Sequence, residues 1–269
     1  MMEETPREKR NRQYLAYRER NPGRSYAQWL HEAAVAHVRT GGRHATLGDN
    51  LGHDDWWEAG RTNFERYLKL LPIRPDSKLV DYGCGSLRIG AHFIRYLDPG
   101  RYFGLDITTG LIDAGKEIIG GAMLAGKQPL FGAIEEEALA KAVAFGADFV
   151  CSTAVCYHVH PDEAPVYFGN LARLTAKTGA TLFFDASLSD TPVSEHALSM
   201  PLDYFVAQLK PLEFVAFHKN AVREDGRQVL GILEFRRAEA PAPKPVEKEV
   251  KQRKKRKWDL SLPRKGRRR

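Results

Sequence analysis

Lys78-Leu-Val-Asp-Tyr-Gly-Cys-Gly-Ser86 is a short apolar run that closes on an acid, Asp81, and breaks at two glycines, Gly83 and Gly85. It predicts a buried strand running into a tight turn. Glycine there permits backbone angles closed to other residues and lets the main chain approach a ligand. In open α/β sheets, ligands sit at the carboxyl ends of the strands, where strand order reverses. A pyrophosphate-binding turn is disfavoured: its fingerprint needs G-x-G-x-x-G, but the third glycine position is Arg88 and Gly90 comes two residues late. No G-x-x-x-x-G-K-[ST] phosphate loop occurs either.

Downstream, strand and helix patterns alternate. Tyr102–Asp106 (YFGLD), Pro129–Gly132, Asp148–Ser152 (DFVCS) and Thr181–Asp185 (TLFFD) read as strands two to five. Helices fall at Arg88–Leu97, Leu111–Ile119, Glu136–Phe145 and Pro161–Thr175. This rhythm predicts an α/β fold with a doubly wound, mostly parallel sheet. Pro201–Leu209 reads as a further helix. Phe214–Asn220 and Val229–Phe235 flank the turn Glu224-Asp225-Gly226, predicting a terminal antiparallel hairpin and seven strands in all.

Upstream, residues 6–40 predict an N-terminal helical extension of two helices, interrupted at Asn21-Pro22-Gly23. Ser25 is a candidate N-cap for the second, which sets Trp29, Leu30, Ala33 and His37 on one face. Residues 41–60, with the pair Trp56-Trp57, read as a loop. A helix over Thr62–Leu71 follows, with Phe64, Tyr67, Leu68 and Leu71 at helical spacing. The chain thus divides into an extension (1–60), an α/β domain (61–238) and a tail (239–269).

Asp106 closes the second strand, 25 residues beyond Asp81. A carboxylate in that place can accept both hydroxyls of an adenosine ribose, or cap the next helix, although Thr108 or Thr109 could cap instead. An apolar strand ending D-x-G-C-G, followed by an acid at the end of the next strand, resembles motifs one and two of class I S-adenosylmethionine-dependent methyltransferases. The resemblance spans about Leu71 to Phe235 and includes the final hairpin. It implies S-adenosyl-L-methionine as cofactor, with the turn of Asp81, Gly83, Cys84 and Gly85 facing its methionine end. Asp106, with Ile107 beside it, would hold the ribose. Ala133, Ile134 or Glu135 would meet the adenine, and the segment from Cys151 to His158, Ser152 included, would underlie the cofactor and face the substrate. Trp56, Trp57, Gly60, Arg61 and Asn63 fall where such a fold brings its extension over the site, so Arg61 or a tryptophan is expected to line a lid.

His158 is the candidate general base, since imidazole titrates near neutrality; the same histidine could equally pack at a helix start. His158, His160 and Asp162 are too closely set to suggest a metal centre, and none is expected. The chain lacks the [DNS]-P-P-[YFW] tetrapeptide of adenine and cytosine amino-methyltransferases and the Pro-Cys of cytosine carbon-5 enzymes. Cys151 and Cys156 therefore read as core thiols. The implied activity is methyl transfer to oxygen or nitrogen of a small-molecule or glycan-type acceptor. The alternatives are an RNA-directed methyltransferase and a non-catalytic, cofactor-binding adaptor.

The net charge of +7 is concentrated in the tail. Residues 241–269 hold thirteen of the 41 Lys and Arg but three of the 34 acids, a net of +10, which leaves the preceding 240 residues at −3. Lys251 to Lys257 and Arg264 to Arg269 suit RNA, DNA or an anionic lipid surface through residues 251–269, or a solubilising extension. Trp258 and Leu260 could insert at a membrane surface. Three cysteines, Cys84, Cys151 and Cys156, make no disulfide framework. No apolar run reaches transmembrane length, and no apolar stretch follows the charged opening residues. A cytoplasmic setting is expected.

Overall fold

The computed structural model describes residues 6–39, 53–107, 109–190, 198–222 and 228–238. The expected hairpin turn at 224–226 and the tail from 239 lie outside the described residues.

The strands are β1 (Leu79–Tyr82), β2 (Tyr102–Asp106), β3 (Leu130–Ala133), β4 (Phe149–Ser152), β5 (Thr181–Leu188), β6 (Ser199–Met200), β7 (Leu212–Val222) and β8 (Val229–Arg237). Their order is β3-β2-β1-β4-β5-β8-β7. Strands β1 to β5 run parallel, and β8 inserts antiparallel between β5 and β7. The seven-stranded path is the expected one, with the two-residue β6 added beside β5. Strand order reverses between β1 and β4, so the binding crevice of an open sheet falls at their carboxyl ends.

Helices cover both faces, which is why β1 and β4 are buried at every residue. On one side Val80, Phe103, Val150, Leu182 and Phe184 pack against Phe168 of α8 (Ala164–Leu174) and Phe205 of α9 (Leu202–Gln208). On the other, Leu79, Tyr102, Phe149 and Phe183 meet α3 (His53–Leu70) and α4 (Gly90–Tyr96) through Tyr67, Phe93 and Ile94. Each such buried side chain contributes about 1.5–3 kcal/mol. The remaining helices are α1 (Pro6–Arg20), α2 (Tyr26–Arg39), α5 (Thr109–Ile119), α6 (Gly121–Lys127) and α7 (Glu136–Phe145).

Ser25 caps α2 as expected. Its hydroxyl accepts from the Gln28 N–H at 3.0 Å, and Gln28 Oε1 accepts from the Ser25 N–H at 2.8 Å, a reciprocal capping box. The same helix start docks on Glu163, whose carboxylate accepts from the N–H groups of Tyr26 and Ala27. Negative charge at a helix N-terminus is favourable. Tyr14, Tyr26 and His160 pack ring to ring above this contact, so the extension is tied to the segment after β4.

Three local differences from the sequence reading have physical causes. Residues 53–60 belong to α3 rather than to a loop, because Gly60 lets that helix settle on the turn before α4, where any Cβ would overlap the Arg88 carbonyl oxygen. Helix α6 was not expected, since Gly121 and Gly126 hide a helical signal. Strand β5 continues to Leu188, held by eight consecutive pairings with β8, so Asp185 lies within the strand and not at its end.

Candidate functional site

The register of the sheet brings two acids, Asp106 and Asp185, into one row. Asp81 pairs with Cys151, Tyr82 with Leu105, and Ser152 with Phe184. Continuing by one residue sets Asp106, Gly83, Thr153 and Asp185 in a single row, at the carboxyl ends of β2, β1 and β4 and within the longer β5. Side chains alternate between faces along a strand, so the two acids and Thr153 of this row share the face covered by α3 and α4.

The turn after β1 is built for close approach. Gly83 and Gly85 have φ of +83° and +53°, both in the left-handed region. A Cβ on Gly83 would overlap the Val155 side chain, whereas one on Gly85 would meet nothing within 4 Å. The Leu105 carbonyl accepts from the N–H groups of Gly83 and Cys84 at 2.7 and 3.0 Å. Asp106 Oδ2 accepts from the Gly85 N–H at 2.8 Å, which locks the turn to the end of β2. Ile107 follows with its side chain exposed, and half-buried Ile134 faces the same strand end, its N–H donating to the Asp106 carbonyl at 3.0 Å.

The other predicted site residues fall in different settings. Asp81 is sealed beneath α4, accepting from Tyr102 Oη at 2.8 Å and from the Cys151 thiol. Burial pushes its carboxyl up to about 6, against the lowering effect of those two donors. The Cys84 side chain is buried near the same acid. Ser152 is fully buried on the opposite face, donating to the Tyr82 carbonyl at 2.8 Å and accepting from Tyr167 Oη at 2.9 Å. It braces β4 from below. His158 ends a 3₁₀ turn, Cys156–His158, with its side chain exposed.

On α3, Arg61 sits on the outer surface, bound to Glu58 and Glu65. Trp57 packs against His92 with ring centres 4.1 Å apart and the planes tilted by 48°, and the Trp56 side chain lies outside the described residues. The inner face of the same helix presents a pair that the sequence reading passed over. Tyr67 Oη shares a hydrogen bond with Thr153 Oγ1 at 2.9 Å and donates to Asp185 Oδ2 at 3.4 Å. The Ala154 N–H donates to the same Oδ2 at 3.0 Å, from a residue held at φ +57°, a costly angle for alanine that fixes where this amide points. Asp185 is half-buried, and desolvation raises its carboxyl above the usual range despite the Ala154 amide, Arg66 and Tyr67. A signal was available: TLFFD carries an acid after an apolar run as KLVD and YFGLD do.

No family model matches the chain, and no curated protein matches it in sequence. Solved structures match it in shape. Magnesium protoporphyrin IX methyltransferase (ChlM) from Synechocystis PCC 6803, with bound SAM, aligns at TM-score 0.55 and 14% identity over 81% of this chain and 100% of its own. The [4+2]-cyclase SpnF aligns at 0.52 and 10% identity, over 68% of this chain and 82% of that one. A candidate sarcosine dimethylglycine methyltransferase from Galdieria sulphuraria aligns at 0.51 and 12% identity, over 67% and 86%. The chain has the fold of class I S-adenosylmethionine-dependent methyltransferases.

Proposed function

We propose that the chain is an S-adenosylmethionine-dependent methyltransferase acting on an oxygen or nitrogen of a small-molecule or glycan-type acceptor. The observation that carries this reading is the turn of left-handed glycines locked to Asp106 at the point where strand order reverses. The residues fit the cofactor. Gly85 leaves open space where a side chain would stand, Asp106 offers a strand-end carboxylate for the ribose, and Ile107 and Ile134 supply apolar surface for the adenine. Asp81 and Cys84 support the turn from beneath, and Ser152 braces the neighbouring strand. When bound, the cofactor supplies a methyl group on a positively charged sulfur.

Such transfer needs no covalent enzyme intermediate, and this chain offers no thiolate for one. Cys84, Cys151 and Cys156 are buried, and burial raises each thiol above its ordinary range. The protein's part is alignment and exclusion of water. Exposed His158 is the side chain assigned to take a proton from the acceptor.

Calorimetry with S-adenosylmethionine tests the site. Binding is expected, and Asp106→Ala should weaken it by about 1–3 kcal/mol through lost charge-assisted hydrogen bonds. Unchanged affinity would remove Asp106 from the site. Transfer of a labelled methyl into fractionated lysate then separates acceptors. Label lost after nuclease treatment would favour the RNA-directed alternative, which the basic run at 251–269 supports. Binding without any transfer would favour the adaptor, a reading kept open by a cyclase with this fold.

A further inference from the structure

Beyond the adenosine side of the site, two charged groups at the other end of the row are left with unused capacity. Arg66 follows Arg61 on α3 but turns inward, and its Nη2 is buried without a hydrogen-bond partner. Leaving a guanidinium nitrogen in that state is costly, and such a group calls for a water, an ion or a ligand to complete it. Asp185 uses Oδ2 for the Ala154 amide and the Tyr67 hydroxyl, while Oδ1 makes no hydrogen bond among the described residues. No ion pair joins the two, although the arginine's charge acts on the carboxylate. Tyr67, next to Arg66 on α3, hydrogen-bonds both Thr153 and Asp185, so the arginine enters the domain beside that stretch of the row.

We propose that Arg66 and Asp185 form a subsite for an α-aminocarboxylate, with Arg66 taking the carboxylate and Asp185 the ammonium group. A planar guanidinium matches a carboxylate in two-point contact, and a carboxylate accepts from an ammonium with charge assistance. The position favours the methyl acceptor as the source. Asp185 stands three strand spacings from Asp106, roughly 14 Å, so a ligand group here lies well beyond a ribose held at β2. The cofactor's own methionine end has the same chemistry and is the second source. The inference rests on the methyltransferase reading and narrows its acceptor to an amino acid or a molecule ending in one.

The test uses the full chain with two probes, S-adenosylhomocysteine and 5′-methylthioadenosine, which share the nucleoside but differ in the aminocarboxylate. Wild type, R66Q and D185N are compared by calorimetry. Thermal shift of the S-adenosylhomocysteine-saturated proteins with a mixture of free amino acids follows. If the acceptor is the source, amino acids raise the melting temperature of wild type but not of either variant, and both nucleosides bind all three proteins alike. If the cofactor is the source, R66Q loses about tenfold in affinity for S-adenosylhomocysteine and none for methylthioadenosine. Variants that match wild type in both measurements overturn the subsite. Wild type that binds neither nucleoside sinks the methyltransferase reading itself, a separate failure. R66K, which keeps the charge and loses the planar fork, should fall between wild type and R66Q, and it carries the comparison if R66Q fails to fold.

Discussion

Asp81, Asp106 and Asp185 follow apolar runs that are interchangeable as sequence, and the structure gives them three different environments. Asp81 is enclosed with Tyr102 and Cys151, Asp106 is tied to the glycine turn, and Asp185 holds the Ala154 amide and the Tyr67 hydroxyl within reach of the charge of Arg66. The enclosure of Asp81 has a measurable consequence. Burial holds its carboxyl at about 6, helped slightly by the nearby charge of Asp106, whereas an unfolded chain titrates near 3.9. Below pH ~4 the group is protonated in both states, so its contribution to stability is complete. Between pH ~4 and ~6 the unfolded chain loses the proton first, and stability falls by about 3 kcal/mol at most before levelling off. Urea unfolding of wild type and Asp81→Asn over this range checks it. The wild-type curve should lose that amount relative to the variant between those limits, and parallel curves would exclude Asp81 as the titrating group.

Among the elements, α3 matters most to the site, because it carries Arg66 and Tyr67 to the strand ends and packs against the turn before α4. Gly60→Ala should cost about 1–3 kcal/mol by overpacking, even though alanine is the better helix former. The contrast is Gly126 in α6, where an added Cβ meets nothing within 4 Å and alanine should stabilise by about 0.5–1 kcal/mol. Melting temperatures that move in opposite directions for the two variants are the expected result; equal shifts would deny the close approach at Gly60. The same comparison explains what the sequence concealed. β1, β2 and the face of Phe64, Tyr67 and Leu71 were legible because period and composition agree with burial. Helix α6 and the early start of α3 were not, because glycine depresses propensity while tertiary packing decides the outcome. Arg66 was overlooked for a related reason: the choice between Arg61 and Arg66 turns on which side of one helix meets the sheet, and both are charged residues within five positions.

At the scale of the whole molecule, charge and core are separated along the chain. The 240 residues that precede Pro241 carry a net −3, and the last 29 carry +10. Strand β8 ends at Arg237 and sits paired between β5 and β7, so every strand among the described residues precedes the basic run. The composition of 241–269 offers few apolar side chains to offset the entropy of ordering and many like charges that repel. Its influence is therefore expected to be electrostatic, raising the local concentration of an anionic partner and fading as salt screens the charges over about 8–10 Å. Truncation at Ala240 should leave melting temperature and S-adenosylhomocysteine affinity close to those of the full chain, while elution from heparin moves to markedly lower salt. A truncated protein that melts early or loses the nucleoside would show that these residues pack against the domain, and the boundary would then have to move toward the C-terminus.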